Sequence, residues 1–222
     1  MDCNLLDVIE DTHFSYSLYR ELIDNFLSKD NRELNYQNRV IIPMLEKIFA
    51  NNASISAVDV STQYKNWNNR IKHDRSKYAG KYTPDVLIAK NWHIDNRDND
   101  KIDYRVLIEV KKPNANDRQH ALCEVNDYLN HVSNVILTDL ITWEFYRKDG
   151  EEIDIVSFTL EEKDHCAKVC ERGINNKTVR WKELEVKTSE FLVKELGFPQ
   201  KMKENPVEWG EIMKKLKTMT VS

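Results

Sequence analysis

Two short apolar runs constrain this chain most: TPDVLIAK at residues 83–90 and RVLIEVKK at residues 105–112. Each has the length and aliphatic content of a strand, and each carries ionisable residues. Alternation in the second run sends Val106, Ile108 and Val110 to the core and Arg105, Leu107, Glu109 and Lys111 to the opposite face. In the first, Val86 and Ile88 enter the core while Asp85 shares its face with Leu87 and Ala89. If these strands pair, Asp85 and Glu109 converge at one edge of a sheet. Two carboxylates that close repel unless positive charge lies between them. Lys111 supplies part of that charge, and oxygen ligands of this kind also suit a hard divalent cation such as Mg²⁺. The plainer alternative is a cross-strand salt bridge on an exposed face.

The rest of the chain supplies the layers such a sheet needs. Helical spacing of Phe14, Leu18, Leu22, Ile23 and Phe26 predicts an amphipathic helix over 14–28, and Val40, Ile41, Met44, Leu45 and Ile48 predict a second over 31–50. Pro43 would bend the second helix or sit near its start. Strands are expected at 53–64, 82–90 and 104–112, with the polar segment 91–103 joining the last two. A helix over 117–132 turns Ala121, Val125, Tyr128 and Val132 inward. NVILTDLITWEFYR (134–147) reads as two strands broken near Thr138 and Asp139, and 153–160 as a last strand after the turn at 148–152. Trp143, Phe145 and Tyr146 are expected to pack the core. The tail reads as helical and charged, with Trp181, Leu184, Phe191, Leu192 and Leu196 inward until Gly197 and Pro199 stop the helix. Strands with helices on their faces give an α/β domain. Its organisation is an N-terminal helical segment (1–30), a core (31–160) and a charged helical C-terminal extension (161–222).

Of the 222 residues, 41% are hydrophobic, enough for a full core. No apolar run reaches the ~18–20 residues of a membrane span, and the N-terminus has acids where a signal peptide would be basic. No membrane partner is expected, and the expected location is cytoplasmic. Cys3, Cys123, Cys166 and Cys170 do not form a disulfide framework. The net charge of −4 argues against indiscriminate coating of nucleic acid. Local charge differs: between 61 and 81, Lys65, Arg70, Lys72, Arg75, Lys77 and Lys81 stand against Asp74 alone, interleaved with Tyr64, Trp67 and Tyr78. Such a segment can track a phosphate backbone and stack on bases, or simply face water.

Pro84-Asp85 followed by Glu109-Val110-Lys111, each on an apolar strand and with a helix after the second, resembles the PD-(D/E)xK nuclease superfamily. RELNYQNRVIIPMLEKIF, with Glu33 about three helical turns before Pro43, looks like the helix ahead of the core in the N-terminal nuclease domain of type I restriction motor subunits. NVILTDLITWEFYR looks like that group's strand pair after the core helix. The resemblance covers about residues 31–150. It implies a restriction-endonuclease-like core, a mixed central sheet flanked by helices, and Mg²⁺- or Mn²⁺-dependent hydrolysis of phosphodiester bonds in DNA, as an endonuclease of restriction or defence. Asp85, Glu109 and the Val110 carbonyl would hold the ion, and Glu33 would bind it or a water. Lys111 would orient or deprotonate the attacking water and contact the phosphate. Lys112 would face away, as a backbone contact or solvated. The group often carries glutamine and tyrosine one turn apart on the core helix. Glu124 and Tyr128 stand there in this chain, with Gln119 out of register.

Alternatives remain at this level. Glu33 also suits an ordinary acid near a helix start. His165, Cys166 and Cys170 are three ligand types on one segment without a fourth for zinc. His73 and His120 read as surface residues within reach of a phosphate. The function reads as an endonuclease, as an inactive nucleic-acid-binding module of the same fold, or as a nuclease of RNA or branched DNA. With no P-loop in the sequence, a motor or specificity subunit would be a partner protein, and the charged tail is a candidate homodimer contact.

Overall fold

Pairing of the two apolar runs organises the sheet. The computed structural model describes residues 14–59, 82–92, 102–113, 117–162, 179–188 and 201–221. Helix α1 (Tyr16–Lys29) is followed by α2 (Glu33–Tyr36), a π-helical turn (Gln37–Ile41) and α3 (Ile42–Ile48). Then come β1 (Ile55–Asp59), β2 (Val86–Lys90), β3 (Asp103–Val110), α4 (Arg118–Tyr128), β4 (Asn134–Thr138), β5 (Thr142–Asp149) and β6 (Glu152–Thr159). The six strands form one sheet in chain order, antiparallel except where β3 and β4 run parallel across the α4 crossover. β7 (Glu185–Thr188) and β8 (Lys201–Glu204) pair in a separate ribbon before α5 (Val207–Val221). The architecture is α/β, a mixed sheet flanked by helices.

Both faces of the sheet are buried along β2, β3 and β4, while the edge strand β6 is largely exposed. Val86, Ile88, Val106, Ile108 and Val110 pack beneath α1, α3 and α5 as alternation requires. Leu87, Ala89 and Leu107, on the other face, lie under Ala121, Val125 and Tyr128 of α4. The face that carries Glu109 and Lys111 is therefore covered by a helix, which removes the exposed sheet on which a simple surface salt bridge would sit. Each aliphatic side chain so buried contributes roughly 1.5–3 kcal/mol. Trp143, Phe145 and Tyr146 are all buried.

Three local expectations are corrected. In α1 the buried residues are Tyr16, Tyr19, Ile23 and Leu27, while Leu18 is exposed. The tyrosines win the inner face because their hydroxyls find acceptors. Tyr19 donates to the Leu140 carbonyl at 2.6 Å, and Tyr16 to that of Lys182 at 2.8 Å. The 31–50 helix is not continuous: the Ile42 N–H reaches back to the Gln37 carbonyl, a π turn just ahead of Pro43. Proline has no N–H and its ring crowds the carbonyl four residues before, and the wider turn relieves that crowding. The tail does carry a helix, α5, but the one expected around Trp181 and Leu184 is absent where that segment is described. Trp181 forms a bridge with Glu161, and 185–188 is a strand. Tertiary bonds override the helical pattern here. Lys182 N–H donates to Leu160 O at 2.7 Å, and the Trp181 indole donates to Asp24 at 2.9 Å while the ring packs edge-on to Tyr16 and Tyr19. Phe191, Leu192, Leu196, Gly197 and Pro199 lie outside the described residues.

Candidate functional site

Antiparallel pairing sets Val86 opposite Ile108, so Asp85 stands beside the end of β3. Its N–H donates to Ile108 O at 3.1 Å and its Oδ2 accepts the Val110 N–H at 2.8 Å. The side-chain amide of Gln37, buried in the π turn, donates to the Asp85 carbonyl at 2.8 Å. Asp85 is thus fixed from the strand on one side and from the helix on the other.

Glu109, 4% exposed, accepts from Lys111 Nζ at 2.6 Å through Oε1 and from the Tyr128 hydroxyl at 2.9 Å through Oε2. Lys111 Nζ also lies 3.0 Å from Glu124 Oε2. That buried oxygen is met by the ammonium alone. Glu124 Oε1 faces His120 Nε2 at 3.3 Å. Glu124 and Tyr128, one turn apart on α4, therefore both reach the last residues of β3 and its continuation. Glu33 touches the same strand end differently, its Oε1 accepting the Lys112 N–H at 3.3 Å. The Lys112 side chain is exposed, and Gln119 lies on the exposed face of α4.

Burial dominates the electrostatics. Desolvation pushes Asp85 up to about 7, against the lowering effect of the Val110 N–H and Lys111. It pushes Glu109 to about 9, with the Asp85 charge adding to the effect. The two titrate as a pair, and ionising one makes ionising the other harder. Burial by itself would pull Lys111 down, but the carboxylates of Glu109 and Glu124 outweigh it and hold the ammonium above its ordinary range. Three carboxyl groups, Asp85, Glu109 and Glu124, thus share one lysine, and the excess is relieved by protons held on Asp85 and Glu109.

The floor of the site is a tight turn between β4 and β5. Lys111 N–H donates to Thr138 O at 2.8 Å, tying the end of β3 to that turn. Leu140 within it adopts φ 70°, a left-handed conformation costly for a branched side chain. Asp139 holds it there by accepting the Ile141 and Thr142 N–H groups at 3.1 and 2.7 Å, and its carboxyl is raised by burial to about 6.

Donor chemistry fits a hard divalent cation: buried carboxylates that outnumber the one lysine among them. Among the described residues, no three His, Cys, Asp or Glu side chains already stand together as a ligand group. A cation held here would draw on main-chain oxygen and water besides Asp85 and Glu109.

Gln37 and Asp139 were not among the residues singled out from sequence. The signal for Gln37 was its place one helical turn after Glu33; Asp139 sat in the expected strand break. Lys65, Arg70, Lys72, Arg75, Lys77 and Lys81 fall outside the described residues, as do His73, His165, Cys166 and Cys170. No described helix is long and apolar enough to cross a membrane. Comparison with known protein families, with curated proteins and with solved structures finds no match to this chain.

Proposed function

We propose that this protein is a divalent-cation-dependent phosphodiesterase acting on nucleic acid, with DNA as the expected polymer and an endonuclease as the expected mode. The observation that carries it is the buried group Asp85, Glu109 and Lys111, drawn from two paired strands and a strand end, with more carboxyl groups than Lys111 neutralises. A structural ion pair would balance its charges; here protons held on Asp85 and Glu109 balance them, and a divalent cation would take the place of those protons.

In this reading Asp85, Glu109 and the Val110 carbonyl would hold Mg²⁺ or Mn²⁺, and Glu33, which accepts the Lys112 N–H, would bind a water beside it. The ion, when bound, supplies charge stabilisation at the phosphate and a more acidic bound water. Gln37 and the Val110 N–H keep Asp85 oriented. Lys111, held as an ammonium between Glu109 and Glu124, contacts the scissile phosphate and orients the attacking water. Tyr128 fixes the Glu109 rotamer through its buried hydrogen bond. The restriction-endonuclease-like character of the core, a role in restriction or defence, a homodimer and a motor or specificity partner all belong to the same reading, through the resemblance of residues 31–150.

The test is incubation of the protein with duplex DNA, single-stranded DNA, branched DNA and RNA in Mg²⁺, Mn²⁺ or EDTA, beside its Asp85→Ala variant. Metal-dependent cutting by the wild type alone is expected, on duplex DNA most strongly. Metal-independent binding without cutting of any polymer would replace hydrolysis with a binding role.

A further inference from the structure

At the opposite end of the sheet from the carboxylates lies a cleft of about 770 Å³ that the phosphodiesterase reading does not use. It is bounded by the first residues of β3 and β4, the turn joining β5 to β6, and α5. Arg105, Arg147, Lys148 and Lys215 line it against two carboxylates, Asp149 and Asp154. Four residues of extended strand separate Arg105 from Glu109, roughly 13 Å.

The fold aims Arg105 by a specific device. Pairing of β2 with β3 runs Ile88 opposite Val106 and then Ala89 opposite Tyr104, so Arg105 is the extra residue of a β-bulge. Its terminal nitrogen pairs with Asp103 at 2.6 Å, but its Nε is buried with no hydrogen-bond acceptor. A buried guanidinium N–H without an acceptor is uncommon and calls for one. The other three cations make no ion pair among the described residues, although Arg147 stands directly across the ladder from Asp154. Four cations stand around the cavity against the two carboxylates that line it, Asp149 and Asp154, which leaves the lining positive and open to an anion.

We propose that this cleft binds a phosphorylated ligand of nucleotide size. The volume falls within the range of small-molecule sites, and the arginines offer planar, forked donors suited to phosphate oxygens. Tyr104, half-buried at the wall, supplies an aromatic ring for a base. The phosphate can belong to a free nucleotide or to one residue of a nucleic-acid strand. The inference does not depend on the carboxylate site.

Isothermal titration calorimetry of the full chain in EDTA, with ATP, AMP and a short single-stranded oligonucleotide, tests it. The variants are Arg147→Ala/Lys215→Ala, Lys148→Ala alone, and Asp85→Ala. Arg147 is exposed and Lys215 half-buried, so the double variant should keep its thermal unfolding midpoint. At least one probe is expected to bind the wild type and Asp85→Ala equally, and to lose at least about tenfold in affinity in the double variant. Lys148→Ala, which removes one cation and leaves the other three, should show a smaller loss. Tighter binding of ATP assigns a free nucleotide, and tighter binding of the oligonucleotide assigns the polymer backbone; either upholds the site. No binding of any probe at about 1 mM, or binding unchanged in the double variant, overturns it.

Discussion

Raising the pH should destabilise this protein in a way that Asp85 and Glu109 account for. Both are pushed above the ordinary carboxylate range by burial, to about 7 and about 9. In the unfolded chain both are ionised above about pH 5. Between there and about pH 9 the folded state therefore holds more protons, and its stability falls as pH rises. Over pH 6.5 to 8.5, where Asp139 at about 6 is already largely ionised, the two shifts together correspond to a loss of about 3 kcal/mol, most of it from Glu109. With a urea slope of roughly 2 kcal/mol/M, the midpoint should drop by about 1.5 M. The assay is urea unfolding in EDTA at the two pH values, for the wild type and for Asp85→Asn/Glu109→Gln. The double variant should lose most of the dependence. A midpoint that is flat or rises with pH in the wild type, or an equal drop in the variant, would refute the burial account of the pair.

Other consequences concern the supports of the site and core. Tyr128→Phe removes a buried hydroxyl that donates to Glu109 Oε2, and should cost about 1–3 kcal/mol by chemical denaturation, with a lowered turnover if the Glu109 rotamer matters to catalysis. Trp181→Ala should cost about 3–5 kcal/mol, because its ring packs against Tyr16 and Tyr19 and its indole bonds Asp24; a change under 1 kcal/mol would detach the 179–184 segment from the core.

Much of the sheet was legible because its signal is periodic. Alternation in 86–90 and 105–110 fixed which residues share a face, and a single pairing then brought Asp85 to Glu109. Helical spacing turned Tyr128 inward, whereas Glu124 came into view only through the resemblance, and its contact with Lys111 was not legible in the sequence. Burial of the second face was less legible, since Leu107 between Arg105 and Glu109 reads as a solvated strand until α4 covers it. The α1 face was misread because tyrosine counts as half-polar, whereas Tyr16 and Tyr19 bury fully once Leu140 and Lys182 offer carbonyls. The strand at 185–188 was hidden by a helical spacing that long-range pairing overrides. The π turn depends on one extra residue per turn, which hydrophobic spacing does not record, and with it went the contact of Gln37 to Asp85. The bulge that turns Arg105 into the second cleft is a register event between strands and has no signature in β3 alone.

The central claim is that Lys111, between Glu109 and Glu124, takes part in hydrolysing a phosphodiester. Its most direct measurement is cleavage of supercoiled plasmid in Mg²⁺ by wild type and by Lys111→Ala, each first verified as folded by circular dichroism. The account predicts nicking or linearisation by the wild type, none in EDTA, and a loss of at least about a hundredfold in the variant. Equal cleavage by the two folded proteins would contradict it.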